Sequence, residues 1–270
     1  MKINIPDNID LHVPNRYILT VYVHPEKFSF SLHCTNSLES CFFYKVDTAG
    51  QTDAFSAFKD LFFDNDLFAL SFQKTCILDF SPLFTYVPDA IYSEKYKEDY
   101  IKLIFSERTG VFLDHAVPAA KLRVLYPVSE PVHNFFVRSF DAPEFVHYTA
   151  PLITHFHSPD IKRNRRQMIV NTHEKGVDVF CFSKKLFLLG NHFPCEKRQD
   201  ALYYILYTWK QLKLDKFADS LLVAGNPSRD IELIDTLRLY LRHVHPAPPI
   251  IPDADITIPF EMAANFVSFV

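Results

Sequence analysis

Apolar and polar positions follow the same order twice along the chain. In the first half, Tyr17–Val23, Phe28–Cys34 and Cys41–Asp47 have the short apolar runs and alternation that are typical of β-strands. Thr52–Phe63 follows them with apolar residues at helical spacing. The second half repeats this order with strands predicted over Gln167–Thr172, Val177–Phe182 and Leu186–His192 and a helix over Arg198–Lys213. The pattern therefore indicates a duplicated unit.

Each half continues with a further strand and helix. Ser220–Ala224 and Asp230–His243 have these patterns in the second half, and Leu122–Tyr126 and Glu130–Phe140 have them in the first. The stretch LRVLYPVSEPVHNFF can be aligned with LLVAGNPSRDIELI so that two serines coincide, and a proline-containing link and a short helix then end each half. We therefore predict two βββαβα units, with their last helices near 150–157 and 260–269.

The first half is longer than the second by an apparent insert. Leu67–Ala116 has no counterpart and is predicted to form strands around a charged helix at Ala90–Phe105, as a small inserted subdomain. The stretch SPDIKRNRR, at 158–166, is polar and basic and is a plausible boundary. The predicted halves are residues 1–160, with the insert at about 67–116, and 165–270.

Composition indicates a soluble globular protein. The chain has 270 residues, 48% of them hydrophobic and 22% charged. Its net charge of −4 gives no strong case for nucleic acid, and no apolar stretch is long enough for a membrane span. The N-terminus lacks an apolar signal region, and the five cysteines form no C-x-x-C pair. A cytoplasmic location is expected, and the apolar C-terminal tail is expected to be a closing helix rather than a membrane anchor.

Glycine is scarce and widely spaced. The chain has five glycines, so no glycine-rich phosphate loop of the G-x-G-x-x-G or P-loop type exists in it. Such loops need glycine because the backbone must approach the phosphate closely with positive φ angles.

The doubled βββαβα pattern resembles the actin-like ATPase superfamily, which includes sugar kinases and Hsp70 chaperones. LLVAGNPSRDIELI is similar to the adenosine-binding segment of that superfamily, and the insert is similar to the layout of the FtsA and PilM branch. The whole pattern also resembles a bacterial family of uncharacterised proteins with an actin-like fold. The resemblance implies an α/β fold in which two RNase H-like units form a two-lobed arrangement.

The turns that bind phosphate in active members of the superfamily differ here. They consist of His24, Pro25, Glu26 and Lys27 in the first half, and of His173, Glu174, Lys175 and Gly176 in the second. Pro25 removes a backbone N–H donor, and Glu26 and Glu174 place negative charge where a triphosphate would lie. Lys27 and Lys175 could offset this charge but do not rebuild a glycine loop.

The segment that resembles the adenosine site offers a second group of candidates, namely Gly225, Asn226, Ser228 and Arg229. Gly225 could let a flat base approach the backbone. Asp230 and Glu232 lie in the first turn of the following helix, where they favour the helix dipole and disfavour an added anion.

Other patterns give weaker candidates. His155 and His157 could bind a metal, but a helix end without neighbouring ligands favours a surface pair, so no metal is expected. Arg163, Arg165 and Arg166 could contact RNA, although a solvated linker between the halves explains them better. Asp178 lies inside a predicted strand, and no nucleophile motif is present, so no catalytic residue is assigned.

These observations leave two functions open. The first is a non-catalytic binding or scaffold protein on a degenerate ATPase fold, with a protein or peptide partner and no cofactor. The alternative is a divergent ATPase or phosphotransferase that binds an adenine nucleotide through Gly225 and the lysines.

Overall fold

Two five-stranded sheets with the same internal order form the framework of the protein. In a computed structural model, residues 3–34, 37–48, 53–106, 109–158, 165–173, 175–184, 186–225, 227–250 and 259–267 are described. The chain divides into two units. The first contains Met1–Ala116, Arg123–Ala150 and Phe269–Val270, and the second contains Val117–Leu122 and Pro151–Ser268.

The first sheet has the strand order β3-β2-β1-β4-β8. Its strands are β1 (Tyr17–Val23), β2 (Phe28–Cys34), β3 (Ser37–Lys45), β4 (Lys74–Asp79) and β8 (Glu144–His147). Strands β1 to β3 are antiparallel, and β4 and β8 are added in parallel. The helices in this part of the chain are α1 (Ala54–Phe63), α2 (Lys97–Ile104), α3 (Glu130–Ser139) and α4 (Thr149–His157).

The second sheet repeats this arrangement as β11-β10-β9-β12-β13. Its strands are β9 (Arg166–Thr172), β10 (Gly176–Ser183), β11 (Leu186–Pro194), β12 (Ser220–Ala224) and β13 (His243–Pro246). Its helices are α5 (Arg198–Gln211), α6 (Pro227–Arg238) and α7 (Phe260–Val267). The two sheets share their strand order and directions, as the predicted duplication requires.

The insert differs from the prediction that places it at about 67–116. Strand β4, which was assigned to the insert at about 67–116, is the fourth strand of the first main sheet. A separate three-stranded sheet, β5-β7-β6, contains β5 (Thr85–Pro88), β6 (Val111–Val117) and β7 (Leu122–Val128). The strand that was aligned with β12 is therefore β7 of the small sheet, and the true counterpart of β12 is β4.

Two short strands that the pattern does not predict lie at the links before the last helices, within the first link and just ahead of the second. Glu144–His147 and His243–Pro246 pair as the fifth strand of their sheets. Both are four residues long, so their alternation is too brief to register as a strand pattern.

Aromatic side chains fill the core of the first unit. The ring of Phe58, on α1, lies 5.5 Å from that of Phe136 on α3 and 5.8 Å from that of Phe68, measured between ring centroids. Phe30, on β2, lies 5.2 Å from Phe68. Such edge and tilted contacts contribute beyond simple area burial. Asp53 caps α1 by accepting a hydrogen bond from the Ser56 backbone N–H at 2.9 Å.

Aliphatic residues dominate the core of the second unit. It includes Val170 and Val179 from the sheet and Ile205 and Leu237 from α5 and α6, all fully buried, and it also contains Cys181. Phe260, on α7, stacks on Phe156 at 5.5 Å. The tail is therefore packed as a helix, as predicted. None of the helices in the described ranges combines the length and apolar character that crossing a bilayer needs.

Candidate functional site

The turn between β9 and β10 brings together four polar side chains of the second unit. The backbone N–H of His173 donates to the carbonyl of Gly176 at 2.8 Å and closes this turn. Asp178, on β10, is paired with Asn171 on β9 and with His192 on β11. Because paired residues of neighbouring strands point to the same face, these side chains form a row across the sheet.

Asp178 is the centre of this row. Its side chain is fully buried. One carboxylate oxygen accepts a hydrogen bond from Nδ1 of His192 at 2.8 Å. The other accepts from Nε2 of His173 and, at 3.3 Å, from Nδ2 of Asn171. The carboxylate is therefore held by groups from two neighbouring strands and one turn.

The charge of Asp178 is compensated locally. Burial alone would raise the pKa of Asp178, but the charge and hydrogen bond of His173, together with those of His192, outweigh it and hold the pKa well below its ordinary value. The site therefore contains a buried carboxylate with imidazole nitrogens on two sides. Nitrogen and oxygen donors in this combination are metal ligands in many proteins.

Two further features shape this row. Gly176 lies directly under the imidazole of His192, and a Cβ built at Gly176 would overlap that ring. Asn171 is fully buried, and its Oδ1 has no hydrogen-bond partner among the atoms that the structure describes. A buried amide oxygen without a partner is uncommon and calls for an explanation.

The segment after β12 is closed by a hydrogen bond. The Thr172 hydroxyl donates to the carboxylate of Asp230, in the first turn of α6, at 2.5 Å. Gly225 ends the strand with φ +125°, and the Thr172 hydroxyl occupies the space that a Cβ at Gly225 would fill. The space on the Cβ side of Gly225 is thus filled by groups of the protein itself.

Some predicted residues cannot be placed beside these. Glu174 and Asn226 lie outside the described residues, as do the side chains of Ser228 and Arg229. Lys175 lies within the turn and is exposed.

The corresponding turn of the first unit has a different environment. The backbone N–H of His24 donates to the carbonyl of Lys27 at 3.0 Å, and Glu26 and Lys27 are exposed. The imidazole of His24 stacks on Phe80 with 3.7 Å between ring centroids, and Phe80 stacks on Tyr148 at 4.8 Å. His24 is thus held over an aromatic column.

The first unit also contains a buried polar group that the sequence analysis missed. Asp79 ends β4 and accepts a hydrogen bond from the Ser81 backbone N–H at 2.9 Å. Burial raises the pKa of Asp79 to about 7 despite this bond. His147 ends the adjacent strand β8, where its Nε2 donates to the Ser81 carbonyl at 3.0 Å. The sequence signal was an Asp at the end of an apolar run, KTCILD, but that run had been assigned to the insert.

The structure describes the surroundings of the two weaker candidates, which are the histidine pair at the end of α4 and the arginine cluster before β9. His155 and His157 lie in the last turn of α4, half-buried, and neither belongs to the metal-type cluster found among the described residues. Arg166 donates to the carbonyls of Leu212 and Lys213 at 3.0 and 2.7 Å and pairs with Asp219 at 3.1 Å. Arg163 lies outside the described residues.

The profile of a family described as "Protein of unknown function (DUF3822)" matches residues 6–244. The chain belongs to the DUF3822 family. No curated protein matches the chain.

Solved structures share the fold of this DUF3822 protein. A Bacteroides thetaiotaomicron protein with an actin-like ATPase fold and unknown function is 23% identical, with a TM-score of 0.82 over 96% of this chain and 98% of that one. The PilM–PilN type IV pilus biogenesis complex contains a chain 11% identical, with a TM-score of 0.53 over 94% and 98% of the two chains. These matches confirm the α/β, actin-like fold, and the second agrees with the expected PilM-like layout.

Proposed function

We propose that this DUF3822 protein is a non-catalytic binding or scaffold protein on the actin-like fold, with a protein or peptide as its ligand. The observation that carries the proposal is the hydrogen bond between Thr172 and Asp230 beside Gly225. A base approaching the Gly225 backbone must displace the Thr172 hydroxyl and leave the Asp230 carboxylate, which is 5% exposed, without that donor. Losing a hydrogen bond to a buried charged group costs about 1–3 kcal/mol.

The turn of the first unit supports the same function. Pro25 and Glu26 occupy this turn, and Glu26 is exposed. Pro25 offers no backbone N–H donor, and the Glu26 carboxylate repels an incoming phosphate at short range. A protein ligand is supported by the PilM–PilN structure, since there a protein of the same fold is part of a complex with another protein.

The proposal is tested by calorimetric titration of the full chain with ATP and magnesium, together with an assay of phosphate release. We expect no turnover and no affinity that depends on the triphosphate. A Thr172→Ala variant is the matched probe, because it removes the hydroxyl beside Gly225 while leaving the turn intact. Turnover of ATP by the wild-type protein would overturn the proposal. Micromolar binding of ATP would also overturn it if ADP in place of ATP does not bind.

One observation favours the alternative of a divergent ATPase or phosphotransferase. Asp79 is a buried carboxyl group whose pKa is raised to about 7, which is the range that suits a general base at neutral pH. A thermal-shift screen with adenine nucleotides tests this alternative. A nucleotide-dependent rise in Tm together with turnover that is lost in Asp79→Asn would favour it, and the absence of any shift would count against it.

A further inference from the structure

The geometry of the β9–β10 turn points to a metal site: His173, Asp178 and His192 bind one divalent transition-metal ion of the zinc type, with the side-chain oxygen of Asn171 as a fourth ligand. This inference does not depend on the proposed function, because none of these four side chains takes part in the hydrogen bond between Thr172 and Asp230.

The three main ligands already converge. One donor atom from each of His173, Asp178 and His192 lies within 4.8 Å of the other two. Donors around a tetrahedral zinc ion lie roughly 3.3 Å apart, given metal–ligand distances of about 2.0–2.1 Å. Zinc binding would release the protons that His173 Nε2 and His192 Nδ1 donate to Asp178, and rotation of the two imidazoles would bring these nitrogens to such distances. Strand pairing fixes Asp178 opposite His192, so the backbone already holds two of these ligands side by side.

The donor set selects the class of metal. Two imidazole nitrogens and one carboxylate suit zinc and its neighbours in the first transition row. Calcium and magnesium prefer shells made of oxygen, which this row does not offer. The ligands include one negative charge, which partly balances a divalent ion.

Asn171 supplies the second, independent observation. Its Oδ1 is buried without a partner among the described atoms, while its Nδ2 lies 3.3 Å from Asp178 Oδ2 and 3.3 Å from His173 Nε2. Turning the amide by about 180° exchanges the two ends and presents the oxygen to the same two donor atoms. With a cation between them, that oxygen would gain a partner that it lacks now.

The surroundings allow an ion to enter and hold the ligands in place. The His173 and His192 side chains are 19% and 15% exposed, whereas that of Asp178 is 0% exposed, so an ion can reach the carboxylate from the imidazole side. Gly176 leaves room for the His192 ring. A Gly176→Ala variant therefore disturbs the site without removing any donor atom.

The experiment uses the full chain after treatment with a chelator. Zinc is titrated in competition with a chromophoric chelator, and the expected result is one bound ion per chain. His192→Ala should weaken binding at least tenfold, and Gly176→Ala should weaken it measurably. The matched control is His245→Ala, at an exposed histidine of β13, which should bind zinc like the wild type.

Cobalt replaces zinc as a spectroscopic probe. We expect the visible bands of a site with nitrogen and oxygen ligands, without the near-ultraviolet thiolate band that cysteine ligands would give. Absence of one-to-one binding, an unchanged affinity in His192→Ala, or a thiolate band would each overturn the proposal.

A second variant tests whether Asn171 is the fourth ligand. Its result does not depend on whether the His192→Ala and Gly176→Ala variants fold stably. Asn171→Asp places two buried carboxylates side by side, which should lower the Tm of the metal-free chain because like charges repel. Added zinc should then raise the Tm of this variant by more than it raises that of the wild type. An equal or smaller rise would remove Asn171 from the site, and no rise in either protein would overturn the site as a whole.

Discussion

The Thr172 hydroxyl and the Asp230 carboxylate form a 2.5 Å hydrogen bond across 58 residues of sequence, which ties the end of β9 to the first turn of α6. Both residues are buried. The bond therefore joins β9, the central strand of the second sheet, to α6, the helix that follows β12. The segment from β12 into α6 is the one whose sequence resembles an adenosine-binding site.

Replacing Thr172 by Val should destabilise the protein by about 1–3 kcal/mol, because Val keeps the shape and leaves the Asp230 carboxylate without this donor. The free energy of unfolding, measured by urea denaturation, checks this. Thr172→Ser is the matched control and should lose less, since it keeps the hydroxyl. Equal losses in Val and Ser variants would show that the methyl group, not the hydrogen bond, contributes the stability.

Gly225→Ala should be destabilised by two separate causes. The φ of +125° disfavours any side chain, at about 1–3 kcal/mol, and the new Cβ also overlaps the Thr172 hydroxyl. Combining Gly225→Ala with Thr172→Ala removes the overlap but keeps the backbone strain. A double-mutant cycle should therefore give a favourable coupling between the two changes, measured as free energies of unfolding. Strictly additive effects would contradict the proposed contact.

The sequence could predict the duplicated sheets because their strands carry clear alternation. It could not predict which apolar run joins which sheet. KTCILD and LRVLYPV are both short and apolar, yet the first is the fourth strand of the main sheet and the second belongs to the small sheet. Strand partners depend on contacts between distant segments, which a local pattern does not contain.

His192 shows the same limit at the site. The hairpin pairs Ser183 with Leu186, and simple counting from there would place Asn191 opposite Asp178. A register shift between Cys181 and Phe182 moves His192 into that position instead. A β-bulge of this kind adds one residue to one strand and redirects the side chains beyond it. Nothing in the local alternation indicates the bulge, so the His173–Asp178–His192 cluster was not foreseeable.

Arg166 should contribute to folding rather than to binding of RNA. Its guanidinium bonds two backbone carbonyls and pairs with Asp219, which is 5% exposed. Arg166→Ala should therefore cost about 1–3 kcal/mol of unfolding free energy by leaving these groups without their donors.

Arg165→Ala is the matched control for this change, because the neighbouring residue is exposed. It should stay within about 0.5 kcal/mol of the wild type. If the two variants were equally stable but both lost affinity for RNA, with binding that weakens as salt increases, a nucleic-acid role would replace the structural one.

Asp79 should make the stability of the protein depend on pH. Its folded-state pKa of about 7 lies above the ordinary value of 3.8 because burial disfavours the charged form. Between these two pH values the folded chain holds a proton that the unfolded chain has released, so this group lowers stability as pH rises and has its full unfavourable effect above about pH 7. At one pKa unit per 1.36 kcal/mol, the effect is on the order of 4 kcal/mol.

Asp79→Asn should remove this dependence. The amide oxygen of Asn can still accept from the Ser81 N–H, and the side chain never ionises. The variant should therefore match the wild type near pH 4 and exceed its unfolding free energy increasingly up to about pH 8, as measured by denaturation at each pH. The difference in unfolding free energy between the variant and the wild type at each pH cancels the contributions of the other titrating groups. The wild type therefore serves as the control. A variant that is less stable than the wild type at pH 8 would mean that the ionised carboxylate is stabilised in the folded protein, which would contradict the raised pKa.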